Sequence, residues 1–191
     1  MEHLMACTFA EYLCKQQIIK RDYYEVYVYG TELVLSFIIT TTIVLIAGLI
    51  VGEFIGSLIF LSVFILLRRF TGGYHASTHL RCKLVTIAVF LISMGASLLI
   101  HASWWMYIVL FVIGNTVIWF LAPIENPNKP LNEKEKKKYH WLSHIVFTVL
   151  SITGFAFSFL IQSTISILWF SMLAVIVLMI IPKLKKGVIE Q

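Results

Sequence analysis

The stretch Arg68–Cys82, RRFTGGYHASTHLRC, holds three arginines, two glycines, two histidines and a cysteine in fifteen positions between two apolar runs. A cysteine near basic side chains is a candidate nucleophile, because cations favour thiolate over thiol. Cys82 stands two residues before the start of the apolar run Leu84–Ile100, which puts it at or near the start of a helix. The partial positive charge of a helix N-terminus acts on a thiol in the same direction. Arg81 and Lys83 flank Cys82 and add to the effect.

A thiol nucleophile needs a base within hydrogen-bond reach. His75 and His79 are the candidates. On a continuous helix His75 shares a face with Cys82 but lies about 10.5 Å away along the axis, whereas His79, three residues away, is within reach. Paired glycines favour a turn. Thr71, Gly72 and Gly73 are therefore expected to end the preceding helix, and a chain bent there could also bring His75 to the thiol. The residues alone leave both bases open. A zinc site built from His75, His79 and Cys82 lacks a fourth ligand and matches no usual zinc spacing. No metal or other cofactor is expected.

Such a site must be held by membrane helices. The chain has 191 residues, 59% of them hydrophobic and only 13% charged, against about 25% charged in soluble domains. Six apolar runs stand out, at Leu33–Gly52, Phe54–Leu67, Leu84–Ile100, Trp104–Leu121, Trp141–Ile161 and Ile165–Ile181. A bilayer core of about 30 Å takes about 20 helical residues. The second run is short enough to be re-entrant by length alone, and charge decides otherwise. All fifteen lysines and arginines fall in four clusters. With six crossings these clusters share one side, and the connections Gly52–Glu53, His101–Ser103 and Gln162–Thr164 on the other carry none. That side is the cytoplasm. The net charge of +5 thus reads as membrane topology, and no nucleic-acid partner is expected.

The fold expected is an all-α polytopic membrane protein in one domain, 1–191, with an amphipathic N-terminal segment, 1–30, and a bundle of six transmembrane helices, 31–191. Met5, Phe9, Tyr12, Gln16 and Ile19 follow near-helical spacing, as in a helix lying on lipid. The N-terminus does not read as a signal peptide. Cys7 and Cys14 read as reduced, small apolar fillers. The five tryptophans read as interfacial anchors. The segment APIENPNKPLNEKEKKKYH, with three prolines and five lysines, reads as a cytoplasmic loop. Gly48, Gly56, Gly95, Gly114 and Gly154 offer small faces where helices could meet.

The arginine-rich end of the second crossing, the Gly-Gly-x-His turn and the cysteine seven residues after that histidine resemble the active-site region of the accessory gene regulator B family. Total length, six apolar segments, the amphipathic N-terminus, YGTEL before the first crossing and the Pro-Asn-Lys-Pro loop after the fourth extend the resemblance across most of the chain. It implies a membrane cysteine endopeptidase of quorum sensing. Such an enzyme cuts the C-terminal tail from a small precursor of the autoinducing peptide. It holds the remainder as a thioester, and an internal cysteine or serine then closes a ring. By position the resemblance makes Cys82 the nucleophile and His75 the base, over the His79 that helical reach favours, and implies that 75–82 is not one straight helix. It further implies an acidic precursor tail, a homodimer and a bacterial cell membrane location with both termini cytoplasmic.

Arg68, Arg69 and Arg81 are the first candidates for binding the tail, and backbone amides around Gly72–Gly73 or at the start of the Cys82 helix for the oxyanion. Glu32, Asn115, Asn126 or a backbone carbonyl could orient the base. The rival readings are a peptide or ion transporter and a non-catalytic membrane scaffold. The near absence of ionisable residues inside the crossings speaks against an ion path.

Overall fold

A computed structural model describes residues 2–73, 79–100, 103–125, 131–158 and 162–189. Among these there are seven α-helices and no strand: α1 Glu2–Lys15, α2 Tyr24–Val51, α3 Phe54–Thr71, α4 His79–Leu99, α5 Trp104–Leu121, α6 Glu133–Ser158 and α7 Gln162–Ile189. Helices α2 to α7 are each long and apolar enough to cross a membrane. This is the all-α, six-crossing architecture expected. The short second run becomes α3, whose 18 residues reach about 27 Å at helical rise.

The break between α2 and α3 lies at Gly52–Glu53. Gly52 adopts φ +79°, and the Glu53 amide donates to the Gly48 carbonyl at 2.8 Å. A left-handed glycine with this bond closes a helix by satisfying its last carbonyls.

The helices outrun their apolar stretches. Helix α2 starts at Tyr24, nine residues before the run at Leu33, and α1 packs on this early part through Ala6, Ala10 and Val28. The N-terminal segment is therefore not one surface helix. It stops at Lys15, turns through Gln17 at φ +56°, and passes a 3-10 turn at Arg21–Tyr23. Met5, Phe9 and Tyr12 are exposed, but Ile19 is buried.

The charged segment before the fifth crossing is likewise only part loop, because α6 begins at Glu133. Asn132 Oδ1 accepts from the Glu135 amide at 2.8 Å, and Glu135 Oε2 accepts from the Asn132 amide at 3.0 Å. This reciprocal pair is a capping box, which starts a helix even in a lysine-rich sequence.

Helix α7 is the centre. Two thirds of its membrane stretch is buried, against less than half of any other, and it touches α3, α4, α5 and α6. Trp169 is a correction to the anchor reading. Its ring is buried, stacked on Tyr107 at 5.0 Å and edge-on to Phe155 at 4.8 Å. On the most buried of the described crossings, such a ring fills the core. Trp104, Trp105, Trp119 and Trp141 are exposed. Four of the five marked glycines serve contacts within the chain. A methyl group at Gly114, for example, would stand 2.2 Å from the Phe147 ring, while Gly95 faces open space.

Candidate active site

The end of α3 is fixed before Cys82 is reached. Thr71 is fully buried, and its hydroxyl donates to the Leu67 carbonyl at 3.0 Å. Gly72 follows at φ +69° and closes the helix, as the glycine pair predicted, with its amide donating to the Arg68 carbonyl at 3.1 Å. Gly72 also forms a single parallel bridge with Ile124, whose amide donates to the Thr71 carbonyl at 2.9 Å. The Gly73 backbone lies against Leu178 of α7.

The loop carrying Ile124 is held in turn from α6. His140 Nδ1–H donates to the Ala122 carbonyl at 2.9 Å, and Lys136 pairs with Glu125 at 2.8 Å. The peptide Ala122–Pro123 is cis.

Cys82 occupies the first turn of α4 and is half-buried. It opens on a cavity of about 520 Å³ whose walls include Arg68, Arg69, Gly72, Lys83 and Tyr139. Three cations, two from α3 and one from α4, thus share a wall with the thiol. Arg68 lies over the Phe64 ring at 5.3 Å, and Arg69 over Phe70 at 5.9 Å. Stacking on an aromatic face lowers the cost of holding a guanidinium beside apolar helix. Lys83 is ion-paired to Glu2, so the first residue of α1 meets the first turn of α4. The Thr86 hydroxyl accounts for the Cys82 carbonyl at 3.0 Å.

The other sequence candidates fall as follows. His75 lies outside the described residues. His79 is the first residue of α4, and only its backbone is described. Arg81 is exposed and is not among the cavity walls. The Gly72 amide is already bonded within α3, which removes it as an oxyanion donor. The first-turn amides of α4 lack carbonyl partners within their own helix and suit that role. Glu32 is taken by His3 of α1 at 2.5 Å, and Asn115 by the Phe111 carbonyl at 3.0 Å. Asn126 lies outside the described residues.

Sequence reasoning missed Lys83 and Tyr139 as walls of the cavity, and missed the part played by Ile124. Lys83 carried a signal as the neighbour of Cys82. Tyr139 and Ile124 lie more than forty residues away and meet the site only through folding.

Fold and site together define a polytopic membrane protein with a thiol in a cationic cavity near one end of its helix bundle. The pattern of the accessory gene regulator B (AgrB) family matches residues 6–182, and the chain belongs to that family. AgrB-like protein 2 of Clostridium perfringens (strain 13 / Type A) is 32% identical over 124 residues, which cover 60% of this chain and 56% of that protein. An AgrB-like protein of Clostridium perfringens (strain SM101 / Type A) is 31% identical over the same shares. The chain thus spans about half the length of the curated relatives it matches. No solved structure matches.

Proposed function

We propose that this protein is a membrane cysteine endopeptidase that processes a small quorum-sensing precursor, with Cys82 as nucleophile. Family membership supports a part in accessory gene regulator peptide processing. The observation that carries the finer reading is the Cys82 thiol sharing a cavity wall with Arg68, Arg69 and Lys83.

In this mechanism the thiolate attacks the scissile carbonyl of the precursor. The carbon–nitrogen bond breaks, and the tail leaves as an amine that takes its proton from the base, His75 or His79. The thioester keeps the acyl group activated. An internal thiol or hydroxyl of the precursor then attacks, the bond to Cys82 breaks, and a ring is released. Apolar walls and surrounding lipid limit competing attack by water. Arg68 and Arg69 attract an acidic tail and orient it across the thiol. Both termini lie in the cytoplasm in this reading, and the active form is a homodimer.

The test uses cells that make the cognate precursor. Cys82→Ala should abolish cleavage at unchanged membrane level, and normal cleavage by that variant would sink the proposal. His75→Ala and His79→Ala, run side by side, identify the base by which of them loses cleavage.

A further inference from the structure

A second cysteine has partners of its own. On α1, His3 and Cys7 are four residues apart, so their side chains share a helix face. Cys7 Sγ stands 3.6 Å from His3 Nε2. The other ring nitrogen, Nδ1, stands 2.5 Å from Glu32 Oε1 of α2. A carboxylate that accepts from Nδ1–H fixes the tautomer in which Nε2 takes the thiol proton. Thiol, imidazole and carboxylate therefore stand in the order of a nucleophile, its base and the group that orients the base.

The exposures suit that order. The Glu32 side chain is 16% exposed, while that of His3 is 76% exposed, so the orienting group is shielded and the base is open to solvent. The cluster is not a metal site, because the histidine faces its two neighbours with opposite ring nitrogens. Among the described residues no group of three such side chains could hold an ion.

We propose that Cys7, His3 and Glu32 form a second thiol site, in which Cys7 accepts acyl groups from thioesters. The cavity beside α1 that Met5 and Phe9 line does not include Cys7, so that cavity does not hold an unactivated amide against the thiol. A thioester lacks amide resonance and its sulfur departs as a thiolate, so exchange needs only a deprotonated thiol. The bond from Cys7 Sγ to the acyl carbon forms as the donor's carbon–sulfur bond breaks. The Cys7 proton passes through His3 Nε2 to the departing thiolate, and no electrons are transferred. The donor is either a water-soluble short-chain thioester or a long-chain thioester partitioned into the bilayer that the exposed Leu4, Met5 and Phe9 would contact. The site is independent of the role of Cys82.

The experiment uses the full chain in phospholipid vesicles. The chain has three cysteines, so one version keeps only Cys7 and a second keeps only Cys14. Each is treated with S-acetyl-N-acetylcysteamine or with palmitoyl-coenzyme A, and acylation is followed by intact mass. The quantity read is the ratio of the Cys7 rate to the Cys14 rate, which cancels changes in how α1 sits. Base assistance predicts a ratio of about ten or more that falls towards unity when His3→Ala is introduced, with a smaller fall for Glu32→Gln. A high ratio with the acetyl donor identifies a soluble source, and one with the palmitoyl donor alone a lipid source. A ratio near unity with both donors, or one unmoved by His3→Ala, overturns the proposal.

Discussion

The amide of Ile124 donates to the carbonyl of Thr71 at 2.9 Å, and beside that bond Gly72 leaves no room for a side chain. This contact fastens the loop after α5 to the end of α3. It also forms one side of the cavity into which Cys82 opens.

A methyl group at Gly72 would stand 2.1 Å from the Ile124 carbonyl oxygen, in a left-handed backbone that alanine resists. Gly72→Ala should cost about 2 kcal/mol or more and lower the thermal midpoint in detergent. Gly95→Ala, with open space around it, should stay within about 0.5 kcal/mol. Equal midpoints for the two variants would count against the contact.

In the proposed mechanism Arg69 attracts an acidic tail. Arg69→Gln should raise KM for such a precursor by about threefold to tenfold at low salt, and the gap should narrow at about 0.5 M salt. A precursor whose tail acids are replaced by amides should show no such difference between wild type and variant.

Glu2 and Lys83 join α1 to α4, and both side chains are largely shielded. Glu2→Lys or Lys83→Glu alone should loosen α1, seen as faster proteolysis near residues 16–20. The double exchange should restore protection, since the pair is regained with its signs reversed. Failure of the double exchange would assign the loss to some other contact.

Trp169→Ala should be the most costly of the tryptophan changes, at about 3 to 5 kcal/mol, read by unfolding in mixed micelles. Trp104→Ala and Trp141→Ala, on exposed rings, should leave unfolding nearly unchanged.

The crossings were legible because six apolar runs and the placement of every lysine and arginine allow few other arrangements. Helix ends were read less well. Apolarity marks where lipid begins, whereas Tyr24 and Glu133 begin their helices before the apolar runs, under control of packing on α1 and of the Asn132 cap. The end of α3 was readable from Gly72–Gly73, and the place of Cys82 in a first helical turn from the run after it. Trp169 was misread because position along a helix does not reveal which helix is central. Cys7 does pack against Ala6, Ala10 and Val28 as a filler would, and its further contact with His3 was not read from the sequence because the Glu32 that holds His3 arrives from another helix. The cavity wall at Tyr139 and Ile124 has no local signature, since it exists only where α3, α6 and the loop after α5 meet.

Helix α7 follows the other five crossings in the chain, yet it supplies the middle of the bundle. During synthesis α3, α4, α5 and α6 therefore enter the bilayer with lipid where Trp169, Met172 and Met179 will later sit. Stable insertion of single helices comes first, and their association follows. A chain halted before residue 162 would hold every residue that walls the Cys82 cavity and lack the buried helix on which α3, α4, α5 and α6 pack, so the order of translation leaves the middle of the bundle until last.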